Sequence, residues 1–272
     1  MKYIKNFLKG LAVGIATLVP GVSGGTMAII FGIYDDLIHS IGCFFEDWKK
    51  HTILLLQIGL GGLIGIALFS KLLGKALNDY PFVMSFFFMG VICGGLPVLY
   101  KKSTIGEKNK KDLVFLLIGF VIVLLMSAEP STTTALATSQ GYLSVIFLLI
   151  AGVILAVALI LPGISGSFML LTLGLYNVTL NAINNMNIPF LIPLGIGVLI
   201  GTLGTTRAIE KLLQKYPGKT YMLILGFVIG SLVPVFPGIP QGLSILISSL
   251  AFAAGYILIH WISKKDSQDK YE

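Results

Sequence analysis

Charged residues are scarce in this chain of 272 residues, at 11% of the total, while 56% are apolar and the mean hydropathy is +0.92. A soluble domain carries about twice that share of charge, so this composition excludes one and predicts an all-α polytopic membrane protein. The net charge of +7 does not indicate nucleic-acid binding. The basic residues lie in short segments between apolar runs, where they set orientation in the membrane.

Residues for metal or redox chemistry are also few, with two cysteines and three histidines. Cys43 lies near a loop and Cys93 inside an apolar run, so neither a disulfide nor a metal site is predicted from them. No Gly-Lys-Ser/Thr sequence of a nucleotide-binding loop is present. We therefore expect no cofactor and no metal.

What the chain does contain is one polar, glycine-rich motif that occurs twice. At an offset of 142, residues 20–34 and 162–176 are identical at seven of fifteen positions. The shared residues include a Pro-Gly-x-Ser-Gly start, and both copies interrupt apolar sequence. Helix breakers at matching places in two halves of a membrane protein indicate a transporter binding site.

The apolar pieces around each loop are individually too short for a full span, which needs ~20 residues. After the loops, apolar arms are predicted at 26–45 and 167–180. If both pairs are re-entrant hairpins and the N-terminus is cytoplasmic, 17 of 19 basic residues face the cytoplasm. If both pairs cross, 12 do, so the charge distribution favours two re-entrant helical hairpins and an inverted repeat.

The repeat continues beyond the loops at an offset of 136, where paired Gly-x-x-x-Gly spacings recur (61/65 with 197/201, and 90/94 with 226/230). Small residues at this spacing let helix backbones approach closely. The predicted units are a first repeat at 1–112, a linker span and outer loop at 113–141, an inverted second repeat at 142–236, and a terminal span and tail at 237–272.

The two loops have the chemistry of an anion site. A helix that begins after a glycine-rich loop has unpaired N–H groups and a partial positive charge at its first turn, and hydroxyl groups there either cap the helix or donate to an anion. The only arginine, Arg207, suits a bidentate phosphate contact. The predicted phosphate-binding residues are Ser23, Gly24, Gly25, Thr26, Ser165, Gly166, Ser167 and Arg207.

An enzyme is the main alternative class, because residues 21–25 fit Gly-x-Ser-x-Gly, as in serine hydrolases. A nucleophilic serine needs a base within hydrogen-bond reach. The three histidines are predicted near membrane faces, and both copies keep the serine although catalysis needs one. We therefore expect no catalytic residues. A transporter of a small soluble anion remains open as a second alternative.

The doubled motif resembles a family of bacterial polyprenyl-phosphate transporters. The resemblance rests on residues 20–26 with Gly-Ile-Tyr-Asp at 32–35, and on residues 162–167 with Gly-Leu-Tyr at 174–176. It extends over essentially the whole chain. The second copy departs from the first at Ser167 and Phe168, which replace Gly25 and Thr26.

The resemblance implies a non-enzymatic lipid transporter that returns undecaprenyl phosphate from the outer to the inner leaflet of the bacterial cytoplasmic membrane, for recycling in cell-wall synthesis. Both termini would then be cytoplasmic. Proton coupling would offset the membrane potential, with Glu129 and Asp35 as the expected carriers. A homo-oligomer is compatible with this assignment.

Overall fold

The computed structural model describes residues 2–18, 22–104, 112–126 and 141–268, and this part of the chain forms helices and no strand. The helices before residue 127 are α1 (Lys2–Thr17), α2 (Gly24–Ile30), α3 (Tyr34–Gly42), α4 (Trp48–Asp79), α5 (Pro81–Ser103) and α6 (Leu113–Met126). Those after residue 140 are α7 (Tyr142–Ile160), α8 (Gly166–Thr172), α9 (Tyr176–Asn184), α10 (Ile188–Lys215), α11 (Pro217–Gly230), α12 (Leu232–Val235) and α13 (Leu243–Gln268).

Six segments among the described residues are long and apolar enough to cross a membrane: α4, α5, α7, α10, α11 with α12, and α13. The protein is therefore a multi-pass membrane protein. Large apolar side chains on the outer helices are exposed, including Leu63 and Leu68 of α4 and Leu250 and Ile257 of α13. Lipid tails are as apolar as these side chains, so exposure to lipid costs little and helix association depends on close packing.

Close packing between α1 and α4 is made by glycine, and the same contact recurs between α7 and α10. A Cβ added to Gly10 would lie 2.3 Å from the carbonyl oxygen of Ile58, and one added to Gly152 would lie 2.3 Å from that of Leu194. The members of these two contacts are separated by the offsets of 142 and 136 that the sequence predicts. The two helix pairs therefore pack in the same way.

The remaining helices also repeat their contacts, which changes the interpretation of two segments. Gly90 of α5 approaches the Phe252 carbonyl of α13, and Gly226 of α11 approaches the Leu116 carbonyl of α6. Phe252 and Leu116 are again 136 residues apart. Helices α6 and α13, treated separately in the sequence as a linker and a terminal span, thus occupy matching positions, and each packs on a helix of the other half.

The arms that follow the two loops are not continuous helices, contrary to the prediction of unbroken segments at 26–45 and 167–180. Gly32 and Gly174 have φ of +65° and +66°, a left-handed conformation that favours glycine and ends a helix. The Ile33 N–H then donates to Ala28 at 2.9 Å, and the Leu175 N–H to Leu170 at 2.8 Å. The axis turns by 115° between α8 and α9.

Alanine at Gly61 or Gly197 is expected to destabilise the protein. At either position an added Cβ would lie 2.2 Å from a carbonyl oxygen of the partner helix. Forcing the helices apart costs about 1–3 kcal/mol. Gly59 and Gly195, two residues earlier on the same helices, have no atom within 4 Å of an added Cβ and serve as matched controls.

The controls should be neutral or stabilised by up to about 1 kcal/mol, because alanine is the better helix former. The measurement is the thermal midpoint of the four purified variants in detergent. Equal midpoints within each pair would contradict the packing assigned to α1–α4 and α7–α10.

Candidate functional site

The two Pro-Gly-x-Ser-Gly loops have nearly the same backbone where they enter their helices. Ser23 has φ −88° and ψ 134°, and Ser165 has φ −90° and ψ 131°. Each is the N-cap of a helix of seven residues, and neither side chain makes a capping hydrogen bond. The serine hydroxyls are therefore not used to satisfy the helix starts, and they remain available for another partner.

The fold brings the two loops into direct contact. The N–H of Gly163 donates to Oγ1 of Thr26 at 2.8 Å, and both residues are buried. A Cβ added to Gly25 would lie 3.2 Å from Cα of Pro162, so glycine lets the loops approach this closely. Tyr34 reinforces the contact, since its hydroxyl donates to the Ile160 carbonyl at 3.1 Å. Two motifs 142 residues apart in the sequence thus form one unit.

The hydroxyl groups of the two loops differ in exposure. Ser23 is 4% exposed and Thr26 is 2% exposed, whereas Ser167 is exposed and Ser165 is partly exposed. Oγ of Ser165 and Oγ of Ser167 are 2.9 Å apart. The first loop therefore supplies the buried contact, and the second loop presents a pair of accessible hydroxyls. The substitution of Ser167 for Gly25 at equivalent positions underlies this difference.

A small pocket opens beside the second loop. It is lined by Val123 and Met126 of α6, by Gly163, Ile164, Ser165 and Phe168 of the loop and α8, and by Ser231 and Pro234. Its polar groups include the hydroxyls of Ser165 and Ser231. An anion that approaches through this pocket reaches the hydroxyls of the second loop.

Arg207 lies in a different pocket from the loop serines. Its Nε donates to the Gly42 carbonyl at 3.1 Å, at the end of α3. The side chain lines a cavity of ≈ 620 Å³ together with Lys211 of the same helix and His39 of α3. This cavity carries positive charge, so it could hold an anion, but at a place separate from the pocket beside Ser165.

Asp35 and Glu129, the expected proton carriers, are located differently. Asp35 begins α3 and accepts a hydrogen bond from Lys102 at 2.6 Å and another from the hydroxyl of Tyr221. Lys102 also donates to that hydroxyl at 2.9 Å. This group links α3, α5 and α11. Glu129 lies outside the residues that the structure describes.

A cluster that the sequence analysis missed lies in the cavity of Arg207. The Glu210 carboxylate hydrogen-bonds Nδ1 of His39 and accepts from Sγ of Cys43 at 3.4 Å. Partial burial, together with the carboxylates of Glu46 and Glu210, raises the pKa of the Cys43 thiol to about 11. His39 and Cys43 are four residues apart, but Glu210 is 167 residues away, so only the fold reveals the group.

The contacts of the histidines do not support a serine hydrolase. His39 contacts Glu210, the Nδ1 of His51 faces the Phe44 carbonyl, and the ring of His260 stacks on Tyr256. Within the described ranges, no printed hydrogen bond joins a histidine to a loop serine. The base that the motif would need is therefore not placed beside it.

Comparison with known proteins places the chain among transporters. A family model described as VCA0040-like, undecaprenyl phosphate translocase-like, matches residues 13–251. A polyprenyl-phosphate transporter of Staphylococcus aureus is 36% identical over 267 residues, which covers 93% of each chain. One of Vibrio cholerae is 33% identical over 251 residues, 87% of this chain and 79% of the relative.

No solved structure matches this chain significantly. The family model spans both loops, the helices that carry them and most of α13. The two relatives also align over most of their own lengths, so the similarity is not confined to the motif. The chain belongs to the undecaprenyl phosphate translocase-like family.

Proposed function

We propose that this protein moves undecaprenyl phosphate from the outer to the inner leaflet of the bacterial cytoplasmic membrane, so that the carrier lipid is reused in cell-wall synthesis. Family membership and the names of the two relatives support a polyprenyl phosphate as substrate. The contact between Thr26 and Gly163 carries the proposal, because it places two hydroxyl-bearing loops together inside an apolar helical protein.

The proposed architecture is an inverted repeat in which each loop is the tip of a re-entrant hairpin, with both termini in the cytoplasm. The repeated glycine contacts of α1–α4 with α7–α10 support the repeat. The 115° bend between α8 and α9 is compatible with a re-entrant segment. The lysine distribution supports the orientation. Membrane depth and sidedness are tested by accessibility of single cysteines placed along each hairpin.

The proposed path has two stations for the phosphate, while the lipid tail stays in the bilayer. The outer-facing station uses Ser165, Gly166 and Ser167, with the buried first loop (Ser23, Gly24, Gly25, Thr26) behind it. The inner-facing station uses Arg207 in its own cavity. The hydrogen bond between Thr26 and Gly163 closes the path between the two in this conformation, and rocking of the halves opens it.

The direction of transport has an energetic consequence. Moving a negative headgroup inward against an inside-negative potential costs about 2.3 kcal/mol per charge per 100 mV. A co-transported proton cancels one charge, and we propose such coupling through Asp35 or Glu129. Asp35 is held by Lys102 in this conformation, so taking up a proton requires that ion pair to separate.

Asp35→Asn is expected to remove the dependence of transport on a pH gradient, because the amide has no proton to exchange. Asp36→Asn is the matched control, since the neighbouring carboxylate is also exposed at the start of α3. Both variants are reconstituted in proteoliposomes, and uptake is measured with and without the gradient. If Asp35→Asn keeps the full response, Asp35 acts only as an anchor for α3, and coupling must be sought at Glu129.

The transport proposal itself is tested by flipping of a fluorescent polyprenyl phosphate in proteoliposomes, read out by access of a membrane-impermeant quencher. We expect protein-dependent flipping that excess unlabelled undecaprenyl phosphate inhibits and inorganic phosphate does not. Inhibition by inorganic phosphate with no flipping of the lipid would instead favour a carrier of small soluble anions, for which the open cavity of Arg207 and Lys211 is the supporting feature.

A further inference from the structure

We propose that His39, Cys43 and Glu210 form a binding site for a borderline-soft divalent metal ion, Zn²⁺ being the best match. The site is independent of the proposed lipid transport. One donor atom from each side chain, a ring nitrogen, a sulfur and a carboxylate oxygen, lies within 4.8 Å of the other two. Nitrogen, sulfur and oxygen donors of these three kinds are the ligands that Zn²⁺ takes in proteins.

The fold presents the three ligands from two packed elements. His39 and Cys43 are four residues apart, with His39 in the last turn of α3 and Cys43 at its end, so both side chains lie on the same face. Glu210 projects from α10, which packs against α3. The Gly42 position permits this packing, since an added Cβ would lie 2.6 Å from Oε2 of Glu210.

The charges of the group favour a divalent cation over a monovalent one. A thiolate, a carboxylate and a neutral imidazole together carry two negative charges, which a divalent ion neutralises. Arg207 and Lys211 line the same cavity, but the Nε of Arg207 is directed at the Gly42 carbonyl and does not neutralise Glu210. The Glu210 side chain is only 11% exposed, so a partly buried carboxylate there gains from a bound cation.

Space for the ion and a fourth ligand is present. In a tetrahedral zinc site the ligand atoms are about 3.4 Å apart, given bond lengths of about 2.0–2.3 Å. The His39 and Glu210 side chains, now in hydrogen-bond contact, therefore separate slightly on binding, and the thiol proton leaves to solvent. His39 is 52% exposed and free to make this movement. The cavity of ≈ 620 Å³ leaves the fourth position open to water or an anion.

The chain contains a matched control for the test. Cys93 in α5 is the second cysteine, and both are free thiols. Metal-stripped protein in detergent is titrated with Co²⁺, whose thiolate charge-transfer band and tetrahedral d–d bands report the ligands directly. We expect one equivalent of Co²⁺ to give both bands, Zn²⁺ to remove them by displacement, Cys43→Ser to abolish the thiolate band, and Cys93→Ser to retain it.

His39→Gln guards against a folding defect in the cysteine variant, because the exposed imidazole is not part of the core. Changes to outer partners of metal sites typically alter affinity about 10–100-fold, so loss of a ligand is expected to weaken Co²⁺ binding at least about tenfold. A wild-type protein without the thiolate band, a band that survives Cys43→Ser, or unchanged affinity in His39→Gln would each overturn the proposal and leave a hydrogen-bonded cluster.

Discussion

Gly163→Ala is expected to prevent accumulation of folded protein. Gly163 has φ of +87°, where alanine is strained by about 1–2 kcal/mol, and an added Cβ would lie 2.5 Å from the Phe227 carbonyl carbon. That neighbour is backbone of α11 and cannot move like a side chain, so overpacking adds about 1–3 kcal/mol. Displacing Gly163 also breaks its buried hydrogen bond to Thr26.

Gly238→Ala separates the two costs. Gly238 has φ of +94°, but no atom lies within 4 Å of an added Cβ, so it carries the conformational strain without the clash. The yield of monodisperse protein and its thermal midpoint are measured for both variants. We expect Gly163→Ala to be lost or strongly destabilised and Gly238→Ala to lose about 1–2 kcal/mol at most. Similar behaviour of the two would mean that the loop does not pack on α11 as described.

Replacing both accessible hydroxyls of the second loop, in Ser165→Ala/Ser167→Ala, is expected to reduce transport of polyprenyl phosphate about 10- to 100-fold. A hydrogen bond to a charged group contributes about 1.5–3 kcal/mol, and these hydroxyls are the ones that a headgroup can reach. Stability should change little, because neither serine caps its helix through its side chain in a way that alanine would lose.

The comparison for this variant is Ser70→Ala, which removes an exposed hydroxyl of α4 that is not part of either loop. Flipping rates and thermal midpoints are recorded together in proteoliposomes and detergent. A normal midpoint with slow flipping supports a direct role of the hydroxyls. Normal flipping by the double variant would return the second loop to a packing role.

The first loop is expected to respond differently, and this difference shows what the sequence could and could not predict. The doubled motif correctly indicates helix breaks at Ser23 and Ser165, since proline, glycine and serine act through local backbone chemistry. The motif does not reveal that Thr26 is buried against Gly163 while Ser167 is exposed. That asymmetry depends on how two distant segments pack, which no local pattern encodes.

Two further features illustrate the same limit. The breaks at Gly32 and Gly174 were missed because the flanking residues are apolar and read as one continuous helix, although a conformation with positive φ ends it. Arg207 was grouped with the loop serines on its charge alone. Its place on α10, one turn before Glu210 and against the end of α3, puts it in a separate cavity. Charge indicates what a side chain can bind, and only the fold decides where.

The most direct test of the central claim is native mass spectrometry of the purified protein with undecaprenyl phosphate and with undecaprenol, the same lipid without phosphate. The wild type and the Ser165→Ala/Ser167→Ala variant are compared. We predict that the wild type retains the phosphorylated lipid in preference to the alcohol, and that the variant loses this preference. Equal retention of both lipids by the wild type, or an undiminished preference in the variant, would contradict a phosphate site at the paired loops.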